Sequence, residues 1–440
     1  MRTRAGRGLV GLAAGLVAVG LAAFLYPPVA WLVPAVLLAA LALSAADLAQ
    51  LRKHSAAVQA QRTLPPSVAR GTPFEVRVRL SNRSAAQLES EVRDVLPAEA
   101  QPAYWSARGP LAAAQDTVWR YTVCIPTRGR YTFGPLWVRF IGRFRMLEGQ
   151  RALACTGSVK VLPESALPQG SLAAQLGLDP RPLARLAHAR LRGEGMEFES
   201  LSEFREGDDP RRIDWRSSAR LRRLMVRRYQ LEHHRDVVIL VDCGRLMGAS
   251  AGTGSKLDRA VDAALRLSRL VLEEGDRCGL GLFDDQVLGL LPPQGGRGAH
   301  QVILEALYDV QSRWRETNFS PMFARLQRRQ AKRSLIVVLS DLVDAETSEQ
   351  FRGALAALAK RHVVVFAALQ TPLLGEVVRA PVNDALDVAR KAVALRLLRQ
   401  REKALLAVDR SGVHLLDVEP EQLTVPLLNR YIQLRERNLV

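Results

Sequence analysis

The chain has 440 residues, 48% of them hydrophobic and 24% charged, the balance of a globular protein of two or three domains rather than a disordered or fibrous one. Lys and Arg number 62 against 44 Asp and Glu, a formal net charge of +18, which favours acidic partners or an anionic lipid surface and is silent about fold. Four cysteines exclude a disulfide scaffold.

No charge occurs from Gly8 to Ala46, and Pro27-Pro28 interrupts the run. Gly8–Leu25 and Val29–Ala46 each just reach the roughly 17–20 helical residues that a hydrocarbon core of about 30 Å requires. Tyr26 and Trp31 flank the break, where aromatic belt residues sit. Arg2, Arg4 and Arg7 precede the first span, and Arg52, Lys53 and Arg62 follow the second. The positive-inside rule then puts both flanks in the cytoplasm. The expectation is a retained transmembrane hairpin over residues 1–50, anchored in the lipid of the cell inner membrane by two spans, with the bulk of the chain cytoplasmic. A cleaved signal peptide shares the basic start, but its apolar stretch runs to only about 7–15 residues.

Residues 51–63 read as a juxtamembrane linker, helical or loose. Over 64–165 the period changes to two. Phe74–Leu80 alternates apolar and polar, and short runs follow near Leu88–Val95, Thr117–Ile125, Tyr131–Ile141 and Ser158–Leu162. This spacing predicts an antiparallel, β-sandwich-like domain serving as scaffold or binding module. Residues 166–192 read as a second linker rich in Pro, Leu and Arg, with a short basic helix over Leu183–Leu191.

The segment 193–234 is the most specific. From Arg205 to Arg228 nine Arg oppose four acids. Asp209-Pro210 predicts an N-cap and first position for a helix over 211–219, followed by an extended arm over 224–229. Ile213, Trp215, Val226 and Tyr229 are expected to be buried anchors. The candidate binding residues are Arg205, Gly207, Asp208, Asp209, Arg211, Asp214, Trp215, Arg220, Arg222 and Arg223. Acids interleave with the basic residues and aromatics make up only 6% of the chain, so stacking platforms are scarce and no nucleic-acid partner is expected.

From 235 to 440 the continuous apolar runs Val237–Val241, Leu335–Leu339 and Val363–Phe366 alternate with helical spacing. That alternation predicts a doubly wound α/β domain on a parallel sheet. In such sheets function sits at the carboxyl ends of the strands. Asp242, Thr317 and Asp341 would arrive there, three oxygen donors of the kind Mg²⁺ takes. No Walker loop, H-E-x-x-H or C-x-x-C occurs, no catalytic residues are named, and a non-enzymatic adaptor is the leading expectation.

Two resemblances extend this reading. The triad Asp242, Thr317 and Asp341 resembles the metal-dependent adhesion site of von Willebrand A domains, whose motif is Asp-x-Ser-x-Ser. Here the stretch is Asp242-Cys243-Gly244-Arg245-Leu246, so Gly244 and Leu246 stand where the two serines belong. The resemblance implies a von Willebrand A-like fold over 235–440 more than it implies a metal. No cofactor is expected, and a metal-dependent ligand binder is the alternative function. The segment 193–234 closely resembles the signature of the domain-of-unknown-function 58 family. The pattern G-D-D-x-R-x-I-D-W-x-x-x-A-R is matched at Gly207, Asp208, Asp209, Arg211, Ile213, Asp214, Trp215, Ala219 and Arg220. That resemblance spans about residues 1–400. It implies a partner of MoxR-type AAA+ ATPases in protein complex assembly or maturation, without established enzymatic activity.

Overall fold

The computed structural model describes residues 2–26, 32–166, 197–204, 208, 210, 213–230, 235–252, 254–296, 298–341 and 345–437. The chain divides into two compact units, residues 1–162 and 163–440.

The first unit opens with helices α1 (Arg7–Leu25) and α2 (Leu32–Ser55). Val33–Ser55 is long and apolar enough to cross a membrane. Its Leu37, Leu38 and Leu41 are exposed, the reverse of a core helix. The strands are β1 (Arg2–Ala5), β2 (Val58–Thr63), β3 (Ser67–Ala69), β4 (Phe74–Asn82), β5 (Leu88–Val95), β6 (Tyr104–Leu111), β7 (Asp116–Val123), β8 (Gly129–Phe133), β9 (Leu136–Ile141), β10 (Leu147–Leu153) and β11 (Gly157–Leu162). They form three sheets in the orders β1-β10-β9-β5-β6, β2-β4-β7 and β3-β11-β8. One core joins all three, with Val76, Val78 and Leu80 from β4, Val92 from β5, Val138 and Phe140 from β9, and Val159 and Val161 from β11. In β4 the alternation is strict: Phe74, Val76, Val78 and Leu80 face in while Glu75, Arg77 and Arg79 face out.

The segment 51–63, expected to be helical or loose, is helical as far as Ser55 and then becomes a strand. Helix α2 runs on to Ser55, and Val58–Thr63 pairs antiparallel with β4. Burial explains the strand. Val58 joins the core, and the Arg62 guanidinium enters the interior. It pairs with Asp94 at 2.6 Å, both side chains 0% exposed. Arg62 also donates to the carbonyls of Gly134 and Cys155, and the Tyr121 hydroxyl donates to Asp94. Arg62 is thus not a juxtamembrane charge, and Arg52 and Lys53 are left as the exposed basic flank. The run Tyr131–Ile141 is two strands in different sheets, broken at Gly134-Pro135.

The second unit holds β12 (Glu197–Glu203), α3 (Trp215–Leu221) and β13 (Met225–Gln230), then a six-stranded sheet and its helices. These are β14 (Asp236–Asp242), the small hairpin β15 (Ser250–Ala251) and β16 (Gly254–Ser255), α4 (Lys256–Glu273), β17 (Arg277–Phe283), β18 (Val287–Gln294), α5 (Ala299–Leu307), α6 (Phe319–Arg329), β19 (Leu335–Ser340), α7 (Ala345–Ala359), β20 (Val363–Leu369), α8 (Pro372–Arg379), α9 (Ala385–Asp409), β21 (His414–Val418) and α10 (Thr424–Glu436). The order is β18-β17-β14-β19-β20-β21, with β18 antiparallel at one edge and the rest parallel. Every residue of β14, β19 and β20 is buried, as a parallel sheet covered on both faces requires. Val238, Leu240, Ile336, Val338, Val364 and Phe366 share one core with Phe319 and Phe323 of α6, Phe351 of α7 and Val408 of α9. Val237, Ile239 and Val241 point the other way, toward the face where α4 packs on β14 and β17. A capping box between Ser255 and Asp258 starts α4 and fixes Lys256 as its first residue.

The expected linker 166–192, with its helix over 183–191, lies outside the described residues from 167 onward.

Candidate functional site

Two places draw on the residues singled out by sequence. The first is the carboxyl edge of the six-stranded sheet. Asp242 ends β14 fully buried. Its carboxylate accepts the Gly244 N–H at 2.8 Å and the Ser340 hydroxyl at 2.5 Å, and Thr317 Oγ1 lies 2.9 Å from both of its oxygens. Burial pushes its pKa up to about 6, although these hydrogen bonds pull it down. Asp242 and Thr317 therefore meet, as the sequence suggests. Asp341 is turned to a different partner. It pairs with the ammonium of Lys256, the two side chains being 0% and 1% exposed. Lys256 Nζ also donates to Thr371 Oγ1 at 2.6 Å. Arg401 approaches Asp341 at 3.9 Å and donates to Asp417 at 2.9 Å. Burial lowers the Lys256 pKa, and the Asp341 carboxylate offsets only part of that lowering.

This donor set does not fit a divalent ion. The Asp242 oxygens are taken by hydroxyls and a backbone N–H, and an ammonium supplies the positive charge at Asp341. Among the described residues no group of three His, Cys, Asp or Glu side chains is disposed to hold a metal. The missing serine has no room either. A Cβ at Gly244 would lie 2.3 Å from Thr317 Oγ1 and 3.0 Å from Asp242 Oδ1. Substituting serine there displaces Thr317 rather than completing a site. Lys256, Ser340, Thr371 and Arg401 escape sequence reasoning, because nothing local ties a helix-start lysine to an acid 85 positions on. The one available signal is rarity: Lys256 is among only seven lysines against 55 arginines.

The second place is the segment around α3. Strands β12 and β13 pair antiparallel, from Glu197 opposite Gln230 to Glu203 opposite Met225. The helix is capped by Asp214, whose side chain accepts the Ser217 N–H at 3.0 Å. The cap of α3 is thus Asp214, and the helix starts at Trp215. Ser218 ties helix to strand: its hydroxyl donates to the Asp214 carbonyl at 2.7 Å and accepts the Met225 N–H at 2.8 Å. Arg222 closes the helix in the left-handed region, at φ 54°. Val226 is buried and Ile213 half-buried. Trp215 is not a buried anchor. It is 69% exposed, although Ser218, three residues on, is buried. Leu221 and Leu224 are exposed too, as are Arg216, Arg220, Arg222 and Arg223. Arg223 lies 3.9 Å from Glu203, both largely exposed, a pair of little energetic weight. Asp208 is half-buried. Arg205, Gly207, Asp209 and Arg211 lie outside the described residues, as does the side chain of Tyr229.

Residues 200–397 match the model of the family described as "Protein of unknown function DUF58". The DUF58 match takes in most of β12, all of α3 and the sheet as far as α9, and leaves the first unit outside. No curated protein matches the chain. Similar solved structures include the CARDB domain of a Pyrococcus furiosus protein, at 12% identity, 24% of this chain, 94% of that chain and TM-score 0.18. Proximal thread matrix protein 1 from the mussel byssus follows, at 12% identity, 46% of this chain and TM-score 0.30. The chain spans 47% of that mussel protein's length. A putative late embryogenesis abundant protein is similar at 13% identity over 27% of this chain and 80% of its own, with TM-score 0.19.

Proposed function

We propose that this DUF58-bearing chain is a membrane-anchored, non-enzymatic adaptor that docks a protein partner through α3 and the turn after it. The partner proposed is an AAA+ ATPase of the MoxR type, acting in the assembly or maturation of a protein complex. The observation that carries the reading is the exposure of Trp215 beside Arg216, Arg220, Leu221, Arg222 and Leu224. Trp and Arg dominate the energetics of protein interfaces. The patch is also pre-organised. Seven residues are too few for a helix that stands on propensity alone, and Asp214 and Ser218 hold it in place. Guanidinium forks favour planar carboxylates, so the partner's surface is acidic. In this reading the six-stranded sheet is a von Willebrand A-like body, and α1 and α2 are two spans in the inner membrane with both flanks cytoplasmic.

The test uses the full chain in native membranes. Trp215→Ala, and separately Arg222→Glu with Arg223→Glu, should leave the melting temperature nearly unchanged. Each should reduce co-purification of the ATPase about tenfold or more, the size of a moderate interface hot spot. Undiminished capture with both variants would sink the docking role.

A further inference from the structure

We infer that the cavity beside the end of α2 binds the headgroup of an anionic phospholipid. The inference rests on reading Val33–Ser55 as a span. The apolar run ends at Ala46, and the next residue is the buried Asp47. Its carboxylate accepts the backbone N–H groups of Phe144 at 3.0 Å, Met146 at 2.9 Å and Leu147 at 3.4 Å. The approach is close enough to need Gly142, where a Cβ would lie 2.5 Å from that carboxylate. From the other side, the Gly6 and Gly8 N–H groups donate to the carbonyls of Met146 and Arg145 at 2.8 and 3.0 Å. The turn between β9 and β10 is therefore clamped to the anchor at the level where the apolar stretch stops.

That turn exposes Arg143, Phe144 and Arg145, with Phe144 40% accessible. Between it and the following turns of α2 lies a cavity of about 490 Å³. Gln50, Leu51 and His54 come from the helix, Leu88 and Glu89 from β5, and Arg143 and Arg145 from the turn. Glu89 is the single carboxylate of the lining and lies 3.3 Å from Arg145. Arg143 has no partner among the described residues, so the site keeps a net positive charge. Two guanidinium groups and an amide suit a phosphate diester.

A soluble organic phosphate shares this chemistry, but position favours lipid. Gln50 follows Ala46 by four residues, about 6 Å along the axis at 1.5 Å per residue. The polar zone of one leaflet is about 5–8 Å deep. Phe144 then lies at the depth where aromatic residues collect, and the arginines face the anionic leaflet that attracts juxtamembrane basic groups.

The full chain, purified in mild detergent from vesicles of equal phosphatidylglycerol and phosphatidylcholine, is weighed by native mass spectrometry. Wild type should retain phosphatidylglycerol in preference to phosphatidylcholine. Arg143→Gln with Arg145→Gln should lower that preference about tenfold, while Arg52→Gln with Lys53→Gln, outside the cavity, should lower it less. Equal retention of both lipids by wild type would overturn the inference. So would full displacement of the lipid by millimolar glycerol 3-phosphate, which would make the site one for a soluble phosphate. Carbonate extraction separates the two levels of the argument. If the chain leaves the membrane in carbonate, the span fails and the lipid site with it. If it stays but shows no lipid preference, the lipid site alone fails.

Discussion

The carboxyl edge of the six-stranded sheet and the surface of α3 use the same alphabet of Arg, Asp, Ser and Thr in opposite ways. At the sheet edge Lys256, Asp341 and Arg401 are almost wholly out of solvent, and partners from distant parts of the same unit answer them. On α3 only Asp214 and Ser218 are turned inward, and Trp215 and four arginines stand outside. A buried charge is costly unless its partner is built in, and at the sheet edge Lys256 and Asp341 supply each other's. An exposed arginine costs little until it is used, so the helix surface is open. The difference teaches why the proposed docking surface is sought on the signature segment, where the arginines are exposed. At the strand ends, where α/β sheets ordinarily bind ligands, ion pairs join α4, α9 and the ends of β19 and β21.

The sharpest way to break this contrast is Lys256→Met. It strands the Asp341 carboxylate in the interior and should cost about 3–5 kcal/mol, read by urea denaturation. Lys256→Met combined with Asp341→Leu should recover most of that loss. A double variant as unstable as the single one would mean that charge pairing is not what closes the site. Next comes the pH profile. The Asp242 pKa rises from 3.8 to about 6 on folding, so between those values the native chain holds a proton that the unfolded chain has released. Its contribution is fully present below about pH 3.8 and is lost as pH rises through about 6. Asp242→Asn should flatten the stability profile over that window, and an unchanged profile would remove Asp242 as the cause. Gly244→Ser should cost about 1–3 kcal/mol through overpacking against Thr317 and bring no Mg²⁺ binding by calorimetry. Tight Mg²⁺ binding by either form would reopen the sheet edge as a ligand site. The smallest effect belongs to the open surface: Trp215→Ala should change stability by no more than about 0.5 kcal/mol. A large loss would make Trp215 a structural residue after all.

Legibility in the sequence followed how local the determinants are. The continuous runs Val237–Val241 and Leu335–Leu339 announce buried parallel strands because both faces of β14 and β19 are covered. The strict alternation of Phe74–Leu80 announces β4 in the same way. The strands β1, β2, β6 and β10 are polar or glycine-bearing and take their structure from the strand beside them, so no window of sequence contains their cause. The meeting of Asp242 with Thr317 could be expected from the end of one strand, a loop between two helices and the resemblance to the adhesion site. The pairing of Lys256 with Asp341 could not, since it depends on how α4 is aimed. Trp215 misled because large apolar residues are usually inside, a rule that runs one way only.

The pairing of β1 with β10 sets a timetable for synthesis. Arg2 lies opposite Gln150, so β1 waits for a partner almost 150 residues later. At about 5–20 residues per second that wait is about 7–30 s. Because β1 is the edge strand of its sheet, β5 and β9 are available to pair before β10 emerges. The start of the chain is therefore among the last parts of the first unit to settle, and until then β10 presents an open edge on which another chain could pair.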